Sequence, residues 1–186
     1  MPITLEKITK SFESGTVLNL PFLEIPDTGV FAILGASGAG KTTLLRILGG
    51  LEAADSGTVS GLDGKKISVV FQEDRLLPHL TALQNVAVVS NEDKAKSALS
   101  AVGLAADADK LPAQLSGGMA RRVALARALA YGGDVFLLDE PFKGLDSEIK
   151  KQIADLFVKL SEKACVIIIT HDGQEAALAA KSVQLK

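Results

Sequence analysis

The stretch VFAILGASGAGKTTLLRIL, residues 30–48, decides the fold of this chain. Its first five residues are apolar, which indicates a buried strand, and the residues from Thr42 to Leu48 are typical of a helix. The paired glycines Gly49 and Gly50 end that helix, because glycine readily adopts the backbone conformations that close a helix. A strand that leads through a short loop into a helix is typical of an α/β domain with a mostly parallel sheet, and this is the fold class that we predict.

The rest of the chain shows the same alternation of apolar strands and helical patterns. In residue numbers, the predicted strands are 16–25, 30–34, 68–71, 135–138, 165–169 and 182–185. The predicted helices are 42–48, 92–102, 116–130 and one that starts at a Ser147 cap. Within the first strand we expect Leu18, Leu20 and Phe22 on one face, and Pro21 indicates a strand at the edge of a sheet. A small helical subdomain is expected at roughly 73–130.

Length and composition limit the classes of function. With 186 residues the chain is expected to form a single domain, 1–186. Its net charge of −2 gives no electrostatic reason to expect nucleic acid, whose binders usually carry a basic surface. No apolar run approaches the roughly eighteen residues that span a membrane, and the segment 1–7 does not resemble a secretory signal. We therefore expect a soluble cytoplasmic protein, in which the lone Cys165 serves as a small buried hydrophobe.

The glycine-rich segment 35–42 matches the pattern G-x-x-x-x-G-K-[ST] in the strand-to-helix context that this pattern requires. In such a loop the backbone N–H groups point inward and the next helix adds its positive end, so that phosphate oxygens fit there. We expect Lys41 to reach the β- and γ-phosphates of a nucleoside triphosphate, the Thr42 hydroxyl to bind Mg²⁺, and Thr43 to add a phosphate hydrogen bond. The predicted phosphate-binding residues are Gly35, Ala36, Ser37, Gly38, Ala39, Gly40, Lys41, Thr42 and Thr43.

Two carboxylates follow the predicted strand 135–138. Asp139 ends the apolar run, where it can bind Mg²⁺ beside Thr42. Glu140 comes next, where it can hold and polarise the water that attacks the γ-phosphate. The alternative is that Asp139 and Glu140 are only polar residues at the end of a strand and have no catalytic role. The phosphate loop in the same chain favours the catalytic interpretation.

A second phosphate-binding surface is predicted where Ser116, Gly117 and Gly118 open a helix. The Ser116 side chain can cap that helix, and the exposed N–H groups of a helix start attract anions. Two such surfaces in one small domain require an explanation that the local chemistry does not supply.

The motifs together resemble those of the ATP-binding cassette (ABC) ATPases in order and approximate spacing. They are GASGAGKTT at 35–43, Gln72, LSGGM at 115–119, VFLLDEP at 135–141, GLD at 144–146 and THD at 170–172. The resemblance covers essentially the whole chain and implies a P-loop α/β core, an N-terminal antiparallel β part and a helical subdomain that carries LSGG. It also implies ATP hydrolysis by a pair of cassettes, in which Ser116, Gly117 and Gly118 close over ATP held by the partner.

The same resemblance implies roles for residues whose local chemistry is ambiguous. Phe12 is implied to stack on adenine with Val17 nearby, and core filling is the alternative for Phe12. Gln72 is implied to approach Mg²⁺ and the attacking water, and His171 to contact the γ-phosphate. Asp146 is implied to lie at the subunit boundary, with a simple helix cap as the alternative. The implied catalytic residues are Glu140, His171, Gln72 and Lys41, and the implied Mg²⁺ ligands are Thr42, Gln72 and Asp139.

The segment FQEDRLLPHLT at 71–81 and the LSGGM motif resemble the ATPases of nitrate, sulfonate and taurine importers. Met119 stands where most ABC members have Gln, and it leaves the phosphate-facing residues intact. This branch implies membrane permease subunits that dock near Arg75 to His79, a separate substrate-binding protein, and a location on the cytoplasmic face of the cell membrane. One alternative is a cytosolic cassette of the iron-sulfur assembly type. A DNA-maintenance ATPase is disfavoured, because the span from Lys41 to Ser116 has no room for long heptad helices.

Overall fold

The computed structural model describes residues 1–13 and 15–185, so that Lys186, the last residue of the predicted domain, lies outside the described residues. The strands are β1 Ile3–Phe12, β2 Gly15–Ile25, β3 Gly29–Gly35, β4 Ser56–Ser60, β5 Ile67–Val70, β6 Val135–Asp139, β7 Cys165–Thr170 and β8 Lys181–Leu185. The helices are α1 Lys41–Leu48, α2 Ala82–Ala87, α3 Glu92–Ala101, α4 Gly117–Tyr131, α5 Ser147–Ser161 and α6 Gly173–Ala176, and short 3₁₀ turns cover Ala105–Asp107 and Pro112–Gln114.

Five strands form a parallel sheet in the order β5-β6-β7-β3-β8, and β2-β1-β4 form a separate antiparallel sheet. The predicted α/β fold with an N-terminal antiparallel β part is thereby confirmed. Every residue of β6 and β7 is buried, as expected for central strands that are covered on both faces. Parallel strands end at the same edge of a sheet, so the loops after β3, β5, β6 and β7 all open there.

Alternate residues of the central strands enter two different cores. Phe136, Leu138 and Ile168 face the helices on one side, where α2, α3, α4 and α5 pack. Leu137 and Ile167 face the other side, together with α1 and the antiparallel sheet. Cys165 is fully buried in this second core, and burial raises its pKa to about 11. The parallel sheet is thus held rigidly on both faces, which fixes the positions of the loops at its carboxyl edge.

The prediction that Phe22 shares a face with Leu18 and Leu20 is wrong. Leu18 and Leu20 are buried, whereas Phe22 is 58% exposed and Leu23 takes its place in the core. The alternation changes phase because Lys7, which lies between the paired positions Glu6–Phe22 and Ile8–Leu20, has a left-handed φ of 51°. The edge position that Pro21 indicates is confirmed, since β2 is the outer strand of its sheet.

A second correction concerns the start of α5. The sequence predicts that Ser147 caps this helix, but Ser147 is already its first residue. Asp146 is the cap: its Oδ1 accepts hydrogen bonds from the backbone N–H groups of Glu148 at 3.1 Å and Ile149 at 3.0 Å. The backbone of Asp146 is extended and the helix begins at Ser147, so Asp146 and not Ser147 occupies the cap position.

Candidate functional site

A cavity of about 720 Å³ lies at the carboxyl edge of the parallel sheet. In an open parallel sheet this edge is where ligands bind. The predicted site residues that line this cavity are Val17, Ser37, Gly38, Gly40, Lys41, Thr42, Thr43, Gln72, Asp139, Glu140 and His171. Val17 comes from β2, and the others come from the ends of β3, β5, β6 and β7 and from the start of α1, so the fold brings together segments that are far apart in the sequence.

The loop between β3 and α1 has the geometry of a phosphate cradle. Gly38 and Gly40 have φ values of 84° and 79°, which side-chain-bearing residues rarely adopt. A Cβ on Gly40 would lie only 2.5 Å from the Val17 carbonyl oxygen, so glycine is required there for the close approach of two backbones as well. The Lys41 ammonium donates to the carbonyl oxygens of Gly35 at 2.7 Å and Ala36 at 2.8 Å, and therefore lies across the loop.

Thr42 and Asp139 form a hydrogen-bonded pair beside this loop. The Thr42 hydroxyl donates to Oδ2 of Asp139 at 2.9 Å, and Asp139 is only 2% exposed. Burial raises the pKa of Asp139, although the hydrogen bond from Thr42 opposes this shift. A buried carboxylate that is held against a hydroxyl offers the oxygen ligands that Mg²⁺ uses when phosphates and water complete its coordination. The donor set therefore fits Mg²⁺ bound together with a nucleotide.

Glu140 and His171 form a second pair at the mouth of the cavity. Oε1 of Glu140 lies 2.7 Å from Nδ1 of His171, and the hydrogen bond to Glu140 raises the pKa of His171. The Glu140 side chain is 13% exposed and the His171 side chain is 75% exposed, so the carboxylate is largely covered while the imidazole lies at the open side of the same cavity. Glu140 has a left-handed φ of 49°, a conformation that costs a residue other than glycine about 1–3 kcal/mol and is concentrated at functional sites.

The turn of Ser116, Gly117 and Gly118 lies in a different cavity, of about 620 Å³. The Ser116 hydroxyl caps α4 by accepting a hydrogen bond from the backbone N–H of Met119 at 3.2 Å. Gly118 packs tightly against Gly144, where a Cβ would lie 2.7 Å from the Gly144 carbonyl oxygen. The start of α4 thus packs against the turn around Gly144 that leads to Asp146. Residues of both line this second cavity. Gln72, Lys143 and Gly144 line both cavities and form the boundary between them.

Phe12 is not among the described residues that line the first cavity. It ends β1, is 47% exposed, and has the Lys10 ammonium 5.4 Å from its ring centre. Val17, in contrast, does line the cavity. Stacking of Phe12 on adenine therefore stays a prediction.

Arg121 and Lys150 are residues near the site that sequence reasoning missed. Arg121 is buried and contacts the backbone of both Asp139 and Glu140. Lys150 lies 2.7 Å from Glu175, which lines the first cavity, and 3.3 Å from Asp172, the neighbour of His171. For Arg121 a signal did exist: it lies one turn before Leu125 on the buried face of α4, where a charged residue requires partners.

No helix within residues 1–13 and 15–185 is both long enough and apolar enough to cross a bilayer. The fold and the site define the class of protein. A parallel sheet in which an interior strand, β3, leads into a glycine loop and a helix, and in which the carboxylate at the end of β6 is held against the loop threonine, is the core of a P-loop nucleoside triphosphatase.

Comparison with known proteins gives the family. The family model described as ABC transporter matches residues 19–143, and the chain belongs to this family. The sulfate/thiosulfate import ATP-binding protein CysA of Vibrio vulnificus is 40% identical over an alignment of 200 positions, which covers 95% of this chain and 58% of that protein. The aliphatic sulfonates import ATP-binding protein SsuB 3 of Nocardia farcinica is 44% identical over an alignment of 177 positions, which covers 92% of this chain and 71% of that protein.

A solved structure has the same fold over almost its whole length. It is the dimeric structure of a post-hydrolysis state of the ATP-binding cassette MJ0796 bound to ADP and Pi, which matches with a TM-score of 0.92 and 32% identity and covers 99% of this chain and 94% of that one. The resemblance to the ABC ATPases and to their importer branch is thereby confirmed. The chain spans a little more than half of the length of the CysA protein that it matches.

Proposed function

We propose that this chain binds and hydrolyses ATP as the nucleotide-binding subunit of an ABC importer. The observation that carries the proposal is the convergence of Lys41, the Thr42–Asp139 pair and the Glu140–His171 pair on one cavity. The import ATP-binding relatives support the transport role. The chain is proposed to act as a single cassette domain, 1–186, with a helical subdomain at roughly 73–130.

The phosphate loop binds the triphosphate of ATP. Phosphate oxygens accept hydrogen bonds from the loop N–H groups and from the Lys41 ammonium, which exchanges its contacts with the Gly35 and Ala36 carbonyls for the β- and γ-phosphates. Thr42 and Asp139 would hold Mg²⁺, together with Gln72, which lines the same cavity. A bound Mg²⁺ would neutralise negative charge that develops during phosphoryl transfer.

Glu140 orients the attacking water and accepts its proton. The oxygen of this water forms a bond to the γ-phosphorus while the bond to the ADP oxygen breaks, and the products are ADP and inorganic phosphate. His171 lies beside the Glu140 carboxylate and braces both this side chain and the γ-phosphate. Most of the rate enhancement comes from charges that are already in place before the reaction.

A second cassette completes each site. Ser116, Gly117 and Gly118 line the second cavity, whereas Lys41 lines the first, so a turn supplied by a partner closes over the bound ATP. Isologous pairing of two copies provides two such sites by symmetry. The solved neighbour supports this arrangement, since it is dimeric with ADP and Pi bound.

The permease subunits are proposed to dock near Arg75 to His79. Arg75 and Leu77 in this segment are 56% and 45% exposed, and the segment follows Gln72 directly, so that a movement here reaches the ATP site. The proposal includes a location on the cytoplasmic face of the cell membrane and a separate binding protein that delivers substrate to the permease. A net charge of −2 agrees with a partner that is not nucleic acid.

Complementation between two inactive variants tests the proposal. Glu140→Gln should bind ATP but lose roughly a hundredfold or more in turnover, the scale of removing a positioned catalytic group. Ser116→Arg should bind ATP as a monomer without hydrolysing it. In a mixture of the two, each mixed dimer has one site with an intact Glu140 and an intact Ser116, so random pairing restores about a quarter of the wild-type rate.

The matched control is Glu162→Gln, which removes an exposed carboxylate at the far end of α5 and should hydrolyse ATP at the wild-type rate. Near wild-type turnover by Glu140→Gln would refute the catalytic assignment. A mixture that stays inactive would contradict a site shared between two copies.

A further inference from the structure

Arg121 is a buried arginine whose role goes beyond packing. It lies on α4, one turn after the Ser116 cap, and is only 2% exposed. Charged side chains are almost never buried to this degree unless they are paired. The guanidinium makes four hydrogen bonds, and the identity of their acceptors decides what the side chain does.

The partners of Arg121 belong to two separate parts of the site. One guanidinium nitrogen donates to the Phe71 carbonyl oxygen at 2.5 Å and lies 3.1 Å from Oδ1 of Asp74. The other donates to the carbonyl oxygens of Asp139 and Glu140, the latter at 2.7 Å. The planar fork of arginine makes such a double bridge possible. A single side chain on α4 therefore connects the segment around Gln72 with the end of β6.

The contact with Glu140 matters because of the Glu140 backbone. Its left-handed φ of 49° is costly for a residue with a side chain, so the surrounding structure must hold it. The Glu140 N–H donates to the Ile169 carbonyl oxygen at 2.9 Å, and its own carbonyl oxygen accepts from Arg121. Both polar backbone groups of Glu140 are thus held, and this conformation directs its carboxylate to His171.

We propose that Arg121 is a positioning residue that holds the Glu140 backbone in its left-handed conformation and connects it to the segment 71–74. A shift of α4 or of this segment then changes the direction of the Glu140 carboxylate. The inference rests on the proposed function in taking Glu140 as the catalytic residue. Because Ser116 caps the same helix, closure of a partner at Ser116 is transmitted to Glu140 through Arg121.

Titration of His171 by NMR tests the contact without ATP. The chain has two histidines, so the imidazole spectrum contains only His171 and His79, and a His79→Asn variant assigns them. Arg121→Met removes the donors and keeps an apolar side chain of similar length. It should release Glu140 from His171 and lower the His171 pKa toward its ordinary value of 6.5. The other charged groups that face His171, Glu175 and Lys41, are the same in every variant.

Arg127→Met is the matched control. Arg127 lies on the same helix and donates to the carbonyl oxygens of Asp74 and Arg75, but it has no contact with Glu140 in the described part of the chain. This variant should leave the His171 pKa unchanged. An unchanged His171 pKa in folded Arg121→Met, or an equal decrease in Arg127→Met, would overturn the proposal.

Kinetics separate positioning from a general loss of structure. Arg121→Met should lower kcat about tenfold or more, because a catalytic group that is displaced by about 1 Å can lose this much activity. KM for ATP should stay within about threefold, since Lys41 and the phosphate loop are untouched. In a Glu140→Gln background the same substitution should cause no further loss of kcat. Fully additive losses would refute the coupling.

Arg121→Lys keeps the experiment decisive if the Met variant does not fold. Lysine retains the charge but lacks the planar fork, so it cannot bridge both sets of carbonyl groups. It should lower the His171 pKa in the same direction by a smaller amount, and an unchanged pKa would again refute the role. If Glu140→Gln hydrolysed ATP normally, the proposed function would fail, whereas the His171 titration would still decide whether Arg121 positions Glu140.

Discussion

Two adjacent glycines at the start of α4 provide a matched pair of substitutions. A Cβ built on Gly117 meets nothing within 4 Å, whereas one on Gly118 lies 2.7 Å from the Gly144 carbonyl oxygen. Both residues belong to the first turn of the same helix. Gly117→Ala and Gly118→Ala therefore raise the intrinsic helix preference by a similar amount. They differ because only the new methyl group at position 118 collides with the Gly144 carbonyl oxygen.

The expected difference follows from these distances. Replacing a helical glycine by alanine stabilises the folded state by about 0.5–1 kcal/mol when space is available, so Gly117→Ala should be slightly more stable than wild type. Gly118→Ala has the same gain, but it must displace a backbone carbonyl, at a cost of about 1–3 kcal/mol. The two variants should thus differ by about 1–3 kcal/mol, or about 2–12 °C in Tm for a domain of this size.

Thermal unfolding of the isolated chain, followed by circular dichroism without nucleotide, measures this difference. Urea unfolding at a single temperature provides an independent free energy of unfolding for each variant. Equal melting temperatures for Gly117→Ala and Gly118→Ala would show that α4 and the Gly144 turn are not in close contact. That result would refute the packing on which the second cavity depends.

Three further predictions concern His171, Cys165 and the α5 cap. Because Glu140 raises the pKa of His171, the stabilisation from this pair should be complete below about pH 6.5 and lost as the pH rises through the raised value; the free energy of unfolding of wild type minus His171→Asn, measured against pH, checks this sign. Native Cys165, fully buried with a pKa raised to about 11, should react with an alkylating reagent far more slowly than in urea, as mass spectrometry would show. Asp146→Ala should cost about 1 kcal/mol in urea unfolding, and Ser147→Ala clearly less; equal losses would contradict the observed cap.

Much of the fold was predictable because its signals are local. The phosphate loop has its sequence pattern, its strand and its helix within a single stretch, and α1 begins at Lys41 as that pattern requires. The buried strand around Leu137 is a continuous apolar run, which needs no distant partner to be recognised. Phe22 was misplaced because the face of β2 depends on the left-handed residue Lys7 in the neighbouring strand.

The candidate site was predictable to a smaller extent. Glu140 follows an apolar strand, and its side-chain chemistry suggested its role. No spacing of residues in the sequence predicted its left-handed backbone conformation or the contact of its carbonyl oxygen with Arg121. The guanidinium of Arg121 meets carbonyl groups about twenty and fifty positions away, and main-chain acceptors carry no sequence signature.

The sequence by itself determined the family, the phosphate loop and the identity of the carboxylates, because each of these depends on residue types at short spacing. Only the tertiary structure decided that Glu140 and His171 lie 2.7 Å apart and that Ser116 and Lys41 line different cavities. The physical reason is the arrangement of the elements. β6 and β7 are neighbours in the sheet, so the residues that follow them lie side by side, whereas the start of α4 packs against the Gly144 turn. Such long-range placement results from packing on both faces of the sheet and cannot be inferred from any one segment.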